Sequence, residues 1–356
     1  MVVSLSMPTL VLAADNGAAD KPLDQKAAEP AGGKGSEAVA KPADKAEPPA
    51  ATGSDAAAAG TFEEHMNKAT ELFNQGKYEQ AIVEFRSALA LDTNNVVVMN
   101  WIGFCYQKQN AWNKALPEYQ KAVELDPSYA EAHNNLAYCY QQLRQYDKAA
   151  QEYVEALKLK PDFFEAHYNL AYVYNQLKKL DEAAAEYEKT LAIQPNFANA
   201  LYQLGWISQQ KHEYEKAIEL YNKCLELDPK SAAVHSKLGL IALDQKDKSK
   251  ATTEFKSALE FDPQFYEARD NLGVLYLEDK RMNDALRELG KALELNPYDD
   301  AVHYHLGLLF HELQQFANSI DQLKQAIYLN PQNQAAKDEL QKVLEAKKKA
   351  TQLSPS

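Results

Sequence analysis

The sequence is poor in the residues on which covalent scaffolding and site chemistry depend. It has three cysteines, Cys105, Cys139 and Cys224, at neither metal-type nor redox-type spacing. So odd and sparse a set excludes a disulfide-built framework. There is no Gly-rich phosphate loop, no nucleophile elbow and no His/Glu metal pair on one helix. Catalysis, a cofactor and a metal site are therefore not expected. Excess positive charge is missing too: the formal net charge is −13 and the pI is near 5.2. That argues against a nucleic-acid partner, because phosphate binding needs clustered Lys and Arg. No apolar run is long enough for a stable membrane span.

The N-terminus, MVVSLSMPTLVLAAD, has a short apolar run ending in Val-Leu-Ala-Ala. Residues 1–14 read as a signal peptide that lacks the usual basic start, so export to a bacterial periplasm or envelope is expected. The alternative is a disordered apolar N-terminus on a cytoplasmic protein. Residues 15–60 are rich in Ala, Pro, Lys, Glu and Gly and hold no aromatic residue. They cannot bury enough apolar area to offset ordering entropy, which predicts a disordered linker.

From Thr61 onward a period of 34 residues dominates. Pro127, Pro161, Pro195, Pro229, Pro263, Pro297 and Pro331 recur at that spacing without a slip. With this proline numbered as slot 32, eight repeats begin at Phe62, Val96, Ala130, Phe164, Ala198, Ala232, Tyr266 and Asp300. Slot 20 is alanine in seven of them, slot 8 is Gly or Ala throughout, and slot 24 is Phe, Tyr or Leu. Apolar residues recur at helical spacing, predicting two helices per repeat near slots 2–14 and 17–30. Slots 8 and 20 are small where two packed helices cross closely. Pro117, inside the second helix of repeat 2, predicts a mild kink.

These residues resemble a tetratricopeptide repeat array, whose unit carries Leu-Gly, Tyr, Ala, an aromatic and Pro at these offsets. The resemblance spans eight repeats over residues 62–333, followed by a capping helix at 334–349 and a tail at 350–356. It implies an all-α solenoid, a right-handed superhelix of helix-turn-helix units. In the cap, Leu340 and Leu344 are expected to point inward.

Five histidines, His65, His133, His167, His235 and His303, share slot 4. Packed helices hold equivalent atoms of neighbouring repeats on the order of 10 Å apart. Zinc ligands must converge at about 2 Å, so these side chains read as amphipathic filler rather than metal ligands. His311 is expected to face the groove alone. Asp147, Glu152 and Glu155 read as a solvated face, and the three cysteines as small buried residues.

The resemblance also implies an inner groove lined by slots 2, 5, 9, 12 and 13 of the first helices. Slot 9 supplies an aromatic ridge of Phe104, Tyr138, Tyr172 and Trp206. Slot 5 supplies Asn100, Asn134, Tyr168 and Tyr202, and slot 12 supplies Gln107, Gln141, Asn175 and Gln209. Rings beside adaptable amides suit an extended peptide, because amides pair with its backbone while rings bury its side chains. Slots 5 and 9 hold no Lys or Arg, which disfavours capture of a C-terminal carboxylate. Asparagines at slot 6 (Asn67, Asn135, Asn169 and Asn271) form an interrupted ladder. The expected function is a non-catalytic scaffold holding a peptide or partner protein. The alternative is a structural unit that polymerises through its repeat ends, which would make it a homo-oligomer.

Overall fold

The computed structural model describes residues 60–353; the expected signal segment and residues 15–59 of the expected linker lie outside the described residues. Among the described residues there are seventeen α-helices and no strand. The first helix of each repeat is thirteen residues long: α1 (Phe62–Asn74), α3 (Val96–Lys108), α5 (Ala130–Gln142), α7 (Phe164–Gln176), α9 (Ala198–Gln210), α11 (Ala232–Asp244), α13 (Tyr266–Glu278) and α15 (Asp300–Glu312). The second helix is fourteen: α2 (Tyr78–Leu91), α4 (Trp112–Leu125), α6 (Tyr146–Leu159), α8 (Leu180–Ile193), α10 (Tyr214–Leu227), α12 (Lys248–Phe261), α14 (Met282–Leu295) and α16 (Phe316–Leu329). First helices thus start one residue earlier than the periodicity predicts, and second helices run over slots 17–30 as read.

The chain divides into two compact units between Leu204 and Gly205, inside α9. Each unit is built from the same antiparallel hairpins, an all-α solenoid architecture. The hairpin bends where a first helix ends on a left-handed residue. Gly76 takes this role in repeat 1, with φ +74°. In the other repeats Asn110, Arg144, Lys178, His212, Lys246, Lys280 and Gln314 hold φ between 56° and 63°. Around Arg144 the amides of Arg144 and Gln145 donate back to the carbonyls of Gln141 and Tyr140, satisfying acceptors at the helix end. Between repeats, Asp126 turns the chain by accepting from the Ser128 amide at 2.9 Å and its hydroxyl at 2.6 Å.

Within a hairpin, slots 20, 24 and 27 of the second helix form a sealed stripe; Ala115, Tyr119 and Ala122 are all fully buried. The large member of that stripe lies over slot 8 of the first helix. A Cβ added to Gly103 would stand 2.6 Å from Tyr119 Cε1, and one on Gly273 would stand 2.6 Å from Leu289 Cγ. Slot 8 is small because a ring or a leucine fills the space a side chain would need.

Pro117 lies inside α4, which is fourteen residues long like its counterparts. Two expectations are corrected here. The closing helix α17 runs Gln334–Leu353, four residues beyond the expected end. Its inward face is Ala336 and Val343, with Leu340 packed beside them, while Leu344 is 42% exposed. A spacing of three, four and seven residues defines that face, and Leu344 falls one residue past it. No helix among the described residues is long and apolar enough to cross a membrane.

Candidate peptide-binding groove

In the unit of residues 60–204, α3, α5 and α7 carry the residues expected to line a groove. The structure separates them into an accessible set and a packed set. Asn100, Tyr138, Gln141 and Tyr172 are half-buried. Phe104, Gln107, Asn134, Tyr168, Asn175 and Tyr202 are buried, each at 8% exposure or less. Phe104 stacks on Phe73 with ring centroids 5.4 Å apart, and the Lys108 ammonium stands 5.2 Å above it. Tyr168 packs edge-on against Phe197, at 5.0 Å, and against Tyr187. These rings hold the wall together, and Phe104 drops out of the accessible ridge. Tyr138 leans on Trp112 at 5.8 Å, and partial burial raises its hydroxyl pKa.

The amides at slot 12 do local work. Gln107 Oε1 accepts from the Tyr119 hydroxyl at 2.9 Å, and Gln141 Oε1 accepts from Tyr153 at the same distance. Each bond joins slot 12 of the first helix to slot 24 of the second. A buried phenol without such a partner costs about 1–3 kcal/mol, which explains the repeated Gln–Tyr pair. In the unit of residues 205–353, Gln209 likewise accepts from Tyr221 at 3.3 Å, and Trp206 is half-buried with its ring N–H unpartnered.

Slots 5 and 6 link neighbouring repeats. Asn135 Nδ2 donates to Asn100 Oδ1 at 2.9 Å, 35 residues apart. In the other unit His305 Nδ1 lies 2.8 Å from Asp270 Oδ1 at the equivalent positions. Burial of His305 opposes its charged form, but the charge and hydrogen bond of Asp270, together with the charges of Asp299 and Asp300, raise its pKa. Between these pairs the pattern lapses. Asn134 Oδ1 and Asn169 Nδ2 are both buried without a partner.

The slot-4 histidines are structural, as read, but they are not mere filler. His133 Nδ1 lies 2.7 Å from Glu152 Oε2 on α6, and its Nε2 lies 3.1 Å from the Pro127 carbonyl oxygen. His167 repeats the arrangement with Glu186 at 2.6 Å and the Pro161 carbonyl at 2.9 Å. Glu152 is therefore not on a solvated face; it reaches back to the first helix of its own repeat. His311 is not alone either, since its Nδ1 lies 2.6 Å from Glu339 Oε1 on α17. The sequence signal was present: Glu follows the histidine by nineteen residues in repeats 1, 3, 4 and 6. Cys105, Cys139 and Cys224 are buried thiols outside any disulfide, and burial pushes each up to about 12. Among the described residues no three His, Cys, Asp or Glu side chains are placed to hold a metal ion.

Tandem helical hairpins whose aromatic and amide side chains serve packing and exposed faces define a repeat scaffold for protein interaction. The chain belongs to the tetratricopeptide repeat family. Profiles described as "Tetratricopeptide repeat" match residues 140–198, 236–300, 198–231 and 301–333, and one described as "TPR repeat" matches 69–110 and 106–144.

Solved structures share the fold. A TPR protein from Parabacteroides merdae superposes with a TM-score of 0.50 at 17% identity, over 70% of this chain and 98% of that one. The pilF protein of Pseudomonas aeruginosa gives 0.51 at 22% identity, over 58% and 95%. The Cut9–Hcn1 hetero-tetramer of the APC/C gives 0.55 at 20% identity, over 79% of this chain and 55% of that one. No curated protein matches the sequence. Tetratricopeptide arrays bind protein partners and are typically scaffolds rather than catalysts.

Proposed function

We propose that repeats 2–4 hold an extended, weakly charged segment of a partner protein along the face formed by α3, α5 and α7. The observation that carries this reading is the exposure of Tyr138 and Tyr172. Both rings stay half-buried, as do Asn100 and Gln141, while Phe104, Asn134 and Tyr168 pack away. Half-exposed tyrosines give large contact area at small entropic cost. The absence of Lys and Arg from slots 5 and 9 favours an uncharged segment over an acidic one.

The test is selection from a random-peptide display library by the full chain and by the Tyr138→Ala, Tyr172→Ala double variant. The wild type should enrich weakly charged sequences, and the variant should enrich none while keeping its helicity and melting temperature. A variant that selects the same peptides, or that unfolds to the same extent as it loses binding, returns the two rings to packing. Action outside the cytoplasm is part of the proposal and rests on the apolar stretch Met1–Ala13 alone. Finding the cytoplasmic protein with Met1 intact would sink it.

A further inference from the structure

The slot-4 side chain touches three segments at once. It sits on a first helix, reaches the second helix of its own repeat nineteen residues on, and reaches the turn carbonyl six residues back. His133 joins α5, α6 and Pro127, and His167 joins α7, α8 and Pro161. In the other unit His235 joins α11, Glu254 at 2.8 Å and the Pro229 carbonyl at 3.4 Å. A carbonyl oxygen only accepts, and so does an ionised carboxylate. Both bonds therefore form only when the pair holds a proton that a neutral imidazole and a carboxylate lack. Without it, a nitrogen lone pair faces an oxygen.

Repeat 7 makes the same point with a permanent cation. Arg269 donates from Nε and Nη2 to the Pro263 carbonyl at 3.0 and 2.6 Å, and from Nη1 to Glu288 at 2.7 Å. Guanidinium has only donors, so the position is one that accepts a cation. Repeat 1 keeps the pair, with His65 Nδ1 2.6 Å from Glu84 Oε2, and repeats 2, 5 and 8 depart from it. In repeat 5 both positions are leucine, Leu201 and Leu220. In repeat 8 the carboxylate is replaced by the amide of Gln322, 2.7 Å from His303 Nδ1. In repeat 2 the histidine is replaced by Met99, and Glu118 pairs with Arg86 instead.

We propose that repeat 3 carries a proton-operated staple, in which a charged His133–Glu152 pair locks its own hairpin onto the proline turn arriving from the repeat before; repeats 4 and 6 build the same staple geometry. Losing the proton frees one of the three segments and loosens hairpin stacking at that repeat. In repeat 3 the stapled first helix is α5, which also carries Tyr138. The accessible face is therefore firmest in mildly acidic to neutral solution and softens in alkali. The staple does not depend on that face binding a peptide.

The charged groups around each staple are few. His133 faces Glu152 and Glu155 from α6 and Asp126 from the turn. Glu186 is shared between His167 and Lys189, whose ammonium lies 2.7 Å from the other oxygen. His235 faces Glu254, with the Phe261 ring 5.5 Å away. The hydrogen bond to Glu152, opposed by burial, holds His133 above its ordinary value. A raised histidine contributes its stabilisation fully below the ordinary value near 6.5 and loses it as pH rises through the folded value. The window is thus the neutral-to-alkaline side.

The test uses the full chain with 15N-labelled histidine. Ring nitrogen shifts at about pH 6.5 should show His133 carrying hydrogen on both nitrogens. Backbone amide protection in α5 and α6, corrected for intrinsic exchange, should fall about tenfold between about pH 6 and pH 8.5. His133→Arg, which copies repeat 7, should abolish that fall, and His133→Leu with Glu152→Leu, which copies repeat 5, should abolish it too. A neutral His133 ring with Glu152 ionised at about pH 6.5, or wild-type protection unchanged across the range, overturns the proposal. So does an unchanged pH dependence in His133→Arg, which keeps the test decisive if the leucine pair does not fold.

Discussion

Tyr187 and Asn175 stand where Tyr153 and Gln141 stand one repeat earlier, yet only the earlier pair is bonded. The Tyr153 hydroxyl donates to Gln141 Oε1 at 2.9 Å, whereas the fully buried Tyr187 hydroxyl has no partner. Asparagine is one methylene shorter than glutamine and does not reach. Asn175→Gln should therefore stabilise the protein by about 1 kcal/mol, read as a higher urea midpoint with an unchanged slope. The reverse change, Gln141→Asn, should cost about 1 kcal/mol. No difference in either variant would mean that a bound water already satisfies the phenol.

Gly103 tests the close approach of the two helices. Alanine favours a helix over glycine by about 1 kcal/mol. Here its Cβ would lie 2.6 Å from Cε1 of the sealed Tyr119 ring. Overpacking of that kind costs about 1–3 kcal/mol, so Gly103→Ala should lower the melting temperature despite its better propensity. A raised melting temperature would show that the ring moves freely.

The left-handed bends carry strain that glycine would relieve. Lys178 holds φ 61° and is exposed. Lys178→Gly should stabilise the array by about 1 kcal/mol, and Gly76→Ala should destabilise it by a similar amount. Thermal unfolding of the two variants, followed by circular dichroism, decides the sign of each.

Burial of Cys105, Cys139 and Cys224 pushes their thiols up to about 12, so near pH 8 the thiolate is about one part in ten thousand. The native protein should resist alkylation by iodoacetamide at that pH, and all three should react in denaturant. Labelling of the folded protein at the rate of a free thiol would contradict their placement.

In the unit of residues 205–353, the buried His305–Asp270 pair adds its own pH dependence. The Asp270 charge raises His305 against the pull of burial. Its contribution is present below the ordinary histidine value and fades as pH rises through the folded one. Replacing the pair by His305→Asn with Asp270→Asn, the residues used by Asn135 and Asn100, should flatten that part of the stability profile. A profile identical to wild type would place the dependence elsewhere.

Much of this was readable before any coordinate. The proline period set the register, so every first helix begins within one residue of its reading. Burial of the cysteines followed from their phase within the repeat. The candidate groove was legible only in part. Phase on a helix says which side a residue faces, but not what comes to rest on it. Phe104 and Tyr168 are closed off by Phe73 and Phe197, each at another point in the chain. The repeat pattern places no partner beside His311, because Glu339 lies 28 residues on, in a closing helix outside the repeat.

Local order along the chain, then, dictated which residues are helical, where each helix stops and which face is apolar, because those depend on neighbours three or four residues away. Pairing of polar groups was settled by packing. Hydrogen bonds need contact distances, and whether Asn175 falls short of Tyr187, or His133 meets both Glu152 and Pro127, depends on how closely the hairpins approach.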